Sequence, residues 1–317
     1  MTPVLVRQHL PTAGPVPRAD LGARARDWSE IQERMLVPLY EAVYERLEVG
    51  PGTRLLGLGC GSGLALLMAA SRGASVTGVE PGSPERLALA RERLLPPAGE
   101  ARARGGIRLT GRSPSRSPRD AADAETPAYT LVTAFEPIGC LAGDAEALAG
   151  LLTTAVPLAE RGAPVVLVGW GPPERCATWE VLRAVAGPDA MARGTAGPDP
   201  TADPSGPEGR RRSGGEDGLP GGTGRLRPAL RDDLEEAAQR AGLRLDGSGR
   251  VACPFGYAGV DSAVRGLLST GLFDTAVAAT DQEQVGKELT EALHPHRRRD
   301  GTVWMPNVFR YLIARTP

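Results

Sequence analysis

The chain has 317 residues, enough for one large α/β domain with additions or at most two ordinary domains. Its 37 basic and 38 acidic side chains leave a formal net charge of −1, which gives no general pull toward nucleic acid and favours a small-molecule or protein substrate. No run approaches the ~18–20 apolar residues of a spanning helix, and the first 20 residues lack an apolar core behind a basic start, so no membrane partner and no signal peptide are expected. The four cysteines (Cys60, Cys140, Cys176, Cys253) are far apart with no C-x-x-C pair, which suits a reducing cytoplasm rather than a zinc site or a disulfide framework.

In chain order, residues 1–20 are proline-rich and predict a flexible N-terminus. From Asp27 to Leu47, Trp28, Ile31, Met35, Leu36, Leu39, Tyr40, Val43 and Leu47 recur at helical spacing around Pro38, predicting two helices or a kinked one that needs the following sheet as its partner. A strand at Arg54–Leu58, a helix at Ser62–Ser71, a strand at Ala74–Val79 and a helix at Pro84–Leu95 come next, with Ser83 as cap and Glu85 in the first turn of the last. A weak strand at Ile107–Thr110 precedes a flexible loop over 111–127. A strand at Tyr129–Phe135, a helix at Ala145–Ala159 and a strand at Pro164–Trp170 continue an alternation that means a parallel sheet with right-handed crossovers.

Between Gly187 and Gly224, 17 of 38 residues are glycine or proline, too many for a packed element, so a low-complexity disordered insertion is expected. Order returns with a helix at Arg227–Ala241 stopped by Gly242. A strand at Leu243–Phe255 broken near Gly247–Gly249, helices at Val260–Ser269 and Asp281–Leu293, and a last strand at Val308–Ala314 complete the pattern. The expected organisation is a flexible segment 1–20, cap helices and glycine-turn core over 21–186, the insertion over 187–224, and the remaining core over 225–317 with a helical substrate lid at 257–300.

The chemical signal lies in Leu55-Leu56-Gly57-Leu58-Gly59-Cys60-Gly61-Ser62-Gly63, followed by Glu80. An apolar run that breaks into alternating glycines and resumes at Leu64–Ala70 reads as strand, tight turn and helix, the first unit of a nucleotide-binding sheet. Backbone at positive φ disfavours a Cβ, and a ligand approaches bare backbone closely. The helix behind the turn points free N–H groups and its positive dipole end into the crevice. A dinucleotide fold wants a small residue where Leu64 stands, and no lysine follows the glycines as a P-loop requires.

This stretch resembles the first motif of class I S-adenosylmethionine-dependent methyltransferases. The resemblance runs from the Asp27 helices through Arg315, with 187–224 as its chief gap. It is carried further by Val76-Thr77-Gly78-Val79-Glu80-Pro81-Gly82, by Leu131-Val132-Thr133-Ala134-Phe135, by the strand ending at Val166–Cys176 and by the closing Val308-Phe309-Arg310-Tyr311-Leu312-Ile313-Ala314-Arg315. The resemblance implies a Rossmann-like α/β fold: a seven-stranded sheet of order 3-2-1-4-5-7-6 with strand 7 antiparallel, helices on both faces, an N-terminal helical cap, and a lid between strands 6 and 7. It implies S-adenosyl-L-methionine as cofactor, met by Leu58, Gly59, Cys60, Gly61, Ser62 and Gly63, by Glu80 with Pro81, by Phe135, and by Trp28 and Gln32 of the cap. A carboxylate suits the ribose because it offers two acceptor oxygens to two hydroxyl donors; the bland alternative for Glu80 is a solvated turn residue. Two family acids are replaced, one by Gly57 and one near the end of strand 3 by Gly111-Arg112-Ser113, and each lost contact weakens binding by about 1–3 kcal/mol.

Methyl transfer from a sulfonium chiefly needs alignment, with a base only where the acceptor must lose a proton. Glu136 is the candidate base, with a surface carboxylate before Pro137 as the alternative. His294 and His296 are candidates as base or metal pair, weighed against a solvated helix end, and no metal site is expected. Trp170, Phe255 and Tyr257 fall at strand ends on the ligand side and are candidate acceptor-pocket residues, with aromatic core packing as the alternative. The expected function is cytoplasmic methyl transfer to an O, N or C atom of a small molecule in specialised metabolism, by a monomer or homodimer. Two competing expectations are a protein that kept the fold and lost methyl transfer, and an enzyme whose cofactor only shapes a pocket for cyclisation or rearrangement.

Overall fold

Strand periodicity decides how the core divides. In β5 (Pro164–Trp170), Val165 and Leu167 enter one apolar cluster while Val166 and Val168 enter another, the two-residue period of a strand buried on both faces. The computed structural model describes residues 20–95, 106–112, 128–192 and 226–317. Five further strands run parallel to it or flank it: β1 (Arg54–Leu58), β2 (Ser75–Val79), β3 (Ile107–Thr110), β4 (Leu131–Ile138) and β6 (Arg244–Ala252). Two short strands, β7 (Phe255–Tyr257) and β8 (Val303–Met305), stand apart from the sheet, and β9 (Val308–Arg315) closes it.

The main sheet has the order β3-β2-β1-β4-β5-β9-β6. β1, β2, β3, β4 and β5 pair in parallel, and β9 runs antiparallel to both β5 and β6. Counting only the core strands, this is the 3-2-1-4-5-7-6 Rossmann-like sheet expected, with its last strand reversed. One apolar cluster joins the sheet to the cap, to α3 (Leu64–Ser71) and to the lid; the other lies under α5 (Asp144–Ala155) and α7 (Asp233–Arg240).

The cap is a helix that changes winding rather than one bent at its proline. α1 (Leu21–Asp27) passes into a π-helical turn at Trp28–Gln32 and a 3₁₀ turn at Glu33–Leu36 before α2 (Val37–Arg46) begins. Pro38 sits in the first turn of α2, where its missing N–H has no partner to lose. α4 (Pro84–Leu94) is capped as expected, the Ser83 hydroxyl accepting from the Arg86 amide at 3.2 Å.

Several boundaries move for local reasons. α3 starts at Leu64, after Gly63 at φ 83. The helix expected through Ala159 stops at Ala155 and tightens into a 3₁₀ turn containing Pro157. The helix expected from Arg227 begins only at Asp233, because Arg227 precedes a proline and its guanidinium pairs with Asp144 (3.3 Å) and Asp233 (2.9 Å), holding residues 227–232 in a turn. The strand expected over Leu243–Phe255 is two elements. β6 runs unbroken through Gly247–Gly249, with a register shift between Leu245 and Gly247, and Phe255–Tyr257 pairs instead with β8.

A helix not foreseen, α6 (Ala177–Ala192, interrupted at Gly187), carries Val181, Leu182 and Val185 at helical spacing into the core. The lid is built from α8 (Val260–Ser269), α9 (Asp274–Ala279) and α10 (Gln282–Ala292), closed at its base by the β7–β8 ladder. The expected loose segments fall mostly outside the described residues: 1–19 of the N-terminus, 113–127 of the loop and 193–224 of the insertion. Among the described residues no helix is long and apolar enough to cross a membrane.

Candidate functional site

The turn between β1 and α3 places three glycines in the left-handed region, Gly59 at φ 58, Gly61 at φ 57 and Gly63 at φ 83. At Gly63 the demand is doubled, since a Cβ there would also stand 2.9 Å from Leu94 Cδ1 and 3.1 Å from Ala90 Cβ of α4. A Cβ on Gly61 would meet Glu33 Oε1 at 3.1 Å and Trp28 Nε1 at 3.2 Å, and one on Gly59 would meet Glu136 Oε2 at 3.2 Å. The bare turn thus faces two carboxylates and an indole.

Glu80, at the end of β2, is buried and holds this turn in shape. Its Oε2 accepts from the Gly61 amide at 2.8 Å and its Oε1 from the Gly82 amide at 3.2 Å. Burial, with the charge of Glu136 adding to it, pushes the Glu80 carboxyl up to about 7 against the pull of Arg86 and the two amides. Burial also pushes the Cys60 thiol well above its ordinary value, so it stands in the turn as a neutral group.

A second buried carboxylate enters from the cap. Glu33 is 2% exposed; it accepts from the Ser62 hydroxyl and from the Leu64 amide at 3.3 Å, at the first residue of α3. Arg93 of α4 completes the network, 2.7 Å from Glu33 Oε2, and donates to the Ser62 carbonyl (2.8 Å) and to the Ser29 hydroxyl (2.7 Å). These contacts bind cap, turn and α4 into one unit. Arg86 does the same at the mouth: its guanidinium lies 4.3 Å from the centroid of the Trp28 ring, donates to the Ser269 carbonyl of the lid at 3.0 Å and stands 3.8 Å from Glu136. Beneath it the Trp28 indole N–H is buried without a hydrogen-bond partner.

Of the residues singled out in the sequence, Trp28, Leu58, Gly59, Cys60, Gly61, Phe135 and Glu136 line the resulting cavity. Ser62 and Gly63 belong to the turn without lining the cavity, and Glu80 and Pro81, after β2, stand beside the turn. Gln32 faces away, its side-chain oxygen accepting from the Tyr257 hydroxyl at 2.9 Å, with both residues buried. Phe255 and Tyr257 are core residues, in an aromatic cluster where Phe255 meets Trp170 (6.1 Å between centroids), Phe309 (6.1 Å) and Tyr257 (6.4 Å). His294 and His296 sit in a 3₁₀ turn after α10, outside this cavity. Among the described residues no cluster of histidine, cysteine and carboxylate side chains has the make-up of a metal site. Sequence reasoning missed Glu33, Arg86 and Arg93; the one available signal was a Glu on the apolar side of the cap, at Trp28 plus five.

The cavity is tight. Its walls leave room for the centres of water-sized spheres over ≈ 30 Å³, enough for a water or two. Gly57 has no space to spare either, since a Cβ there would stand 2.9 Å from Leu66 Cδ2.

No protein-family model and no curated protein matches the chain. Solved structures similar to it include the cyclopropane synthase MmaA2 from Mycobacterium tuberculosis, at 14% identity and TM-score 0.46, covering 94% of this chain and 95% of that one. A SAM-dependent methyltransferase from Geobacter sulfurreducens, solved with S-adenosyl-L-homocysteine, matches at 16% identity and TM-score 0.42, covering 90% and 92%. Geranyl diphosphate C-methyltransferase from Streptomyces coelicolor A3(2), solved with Mg2+, geranyl diphosphate and S-adenosyl-L-homocysteine, matches at 16% identity and TM-score 0.42, covering 96% and 90%. The strand order of this chain, with β9 alone reversed, is the one that its resemblance to class I S-adenosylmethionine-dependent methyltransferases implies.

Proposed function

We propose that the chain binds S-adenosylmethionine at the glycine turn and transfers its methyl group to an O, N or C atom of a small molecule, in the cytoplasm and as part of specialised metabolism. The observation that carries this reading is the turn itself: three left-handed glycines between β1 and α3, tied by the Gly61 amide to a buried carboxylate at the end of β2. The residues present fit such a group. Bare backbone accepts close approach, the half-exposed Glu136 offers acceptor oxygens at the turn, and the unpartnered Trp28 N–H offers a donor that water does not reach.

When bound, the cofactor supplies an electrophilic methyl group on a sulfonium. The protein's share is placement. Admission of the cofactor requires the Trp28–Arg86 pair to swing outward, because the free room is so small.

Calorimetry with S-adenosylmethionine, S-adenosylhomocysteine and NAD tests the reading. Heat is expected with the two sulfur nucleotides and none with NAD, and Glu80→Ala is expected to weaken the binding by about 1–3 kcal/mol. Silence with both sulfur nucleotides removes the proposal. A second reading, binding without methyl transfer, is favoured by Gly57, where Leu66 fills the space that the family's acidic side chain would need. Tight binding with no S-adenosylhomocysteine formed in the presence of small-molecule extracts would select it.

A further inference from the structure

A second cavity opens at the other end of the sheet, with different chemistry. Its floor is Ser248–Arg250 of β6 and Arg310 of β9, and its walls are the Trp170–Pro173 segment at the end of β5 and Ala229–Arg231 before α7. It gives the centres of water-sized spheres ≈ 420 Å³, against ≈ 30 Å³ at the glycine turn, and the two cavities share no lining residue. Arg250 and Arg310 are direct partners in the β6–β9 ladder, so two guanidinium groups rise from one face side by side. Like charges placed so cost stability unless negative charge comes between them.

Glu235 pairs with both terminal nitrogens of Arg310 and also feels the charge of Arg231, while Arg310 donates to the Arg231 carbonyl. Arg231 and Arg250 make no side-chain hydrogen bond or ion pair among the described residues. Beside Arg310 on β5 stands Gly169, which puts no side chain over the floor. At the rim Leu230 is 62% exposed, an unusual exposure for a large apolar side chain. Three arginines thus line the pocket, with the Glu235 carboxylate as the one negative group paired to them and apolar surface close by.

We propose that this pocket binds the phosphoryl group of a small organic phosphate, held between Arg231 and Arg250 with Arg310 behind them. Guanidinium forks match phosphate oxygens two at a time. A phosphate monoester carries about −1.5 to −2 near neutral pH, which matches the excess of two positive charges in the pocket. The organic part lies against Leu230 and the Pro172–Pro173 wall. The inference does not depend on what the glycine turn binds.

Calorimetry on the full chain at low salt, with phenyl phosphate, inorganic phosphate and benzenesulfonate as probes, tests it. Phenyl phosphate is expected to bind one per chain and more tightly than either of the others. Arg250→Gln and Arg231→Gln are each expected to weaken it about tenfold. Arg240→Gln, whose guanidinium already pairs with Glu146 and Glu236, is expected to leave it unchanged. Without ligand, Arg250→Gln is expected to melt at the same temperature as the parent or higher, and to lose the upward shift that phenyl phosphate produces. Absence of saturable binding, equal weakening by Arg240→Gln, or a lower melting temperature of ligand-free Arg250→Gln would each overturn the proposal.

Discussion

The cavity at the glycine turn and the one at the β6–β9 edge sit on one sheet and use the same side chain in opposite ways. At the glycine turn Arg93 is inserted among Glu33, Ser62 and Ser29, so its charge is consumed by the fold and the space around it is closed. At the β6–β9 edge Arg250 meets another arginine across the ladder and no carboxylate of its own, and the space around it is open. A cation with its partners in place is part of the scaffold; one left without them is available to a ligand. Removing each should therefore have very different consequences for folding.

The largest effect is expected at Arg93. Arg93→Ala leaves the Glu33 carboxylate buried without its cation and should cost about 3 kcal/mol in urea unfolding, while Glu33→Gln with Arg93→Met together should cost less than the single change. Equal losses in the single and paired variants would show that the network acts by packing alone. Next comes Gly63→Ala, expected to cost about 1–3 kcal/mol, since the added Cβ brings both a left-handed backbone and a clash with Leu94 and Ala90. Full stability in that variant would mean that α4 moves away from the turn freely.

Glu80 gives an intermediate effect that depends on pH. Its carboxyl titrates in the folded chain at about 7 rather than at the ordinary 4.5, so the folded state holds the proton more tightly. The stability this provides is complete below pH 4.5 and is lost as pH rises through about 7. Glu80→Gln removes the titration, and its stability relative to the parent should rise by about 1–3 kcal/mol between about pH 5 and about pH 8. A difference that does not change with pH would show that the charged form is solvated. The smallest effect belongs to the open pocket: Arg231→Gln should stay within about 0.5 kcal/mol of the parent when no anion is present.

Much of the fold was legible in the chain because the signals are local. Glycines at alternate positions after an apolar run require a turn of left-handed residues wherever they occur, and the alternation of strand and helix leaves a parallel sheet as its simplest partner arrangement. The reversed β9 came from the likeness of its motifs to a family. The candidate site was legible only in part. Gly59, Gly61 and Glu136 line one cavity, whereas Phe255 and Tyr257 take their places in the aromatic core, the alternative weighed for them, where β7 pairs with β8.

By itself, then, the sequence determined the strand–turn–helix unit, the carboxylate at the end of β2 and the rhythm of the sheet, since backbone conformation and periodic burial depend on near neighbours. Only the tertiary structure decided that Glu33 enters the turn from the cap, that Arg86 covers Trp28, and that Arg250 stands beside Arg310. Each of these pairs residues more than twenty positions apart, and whether a charge is consumed or left open depends on strand register and helix placement, which no local pattern encodes.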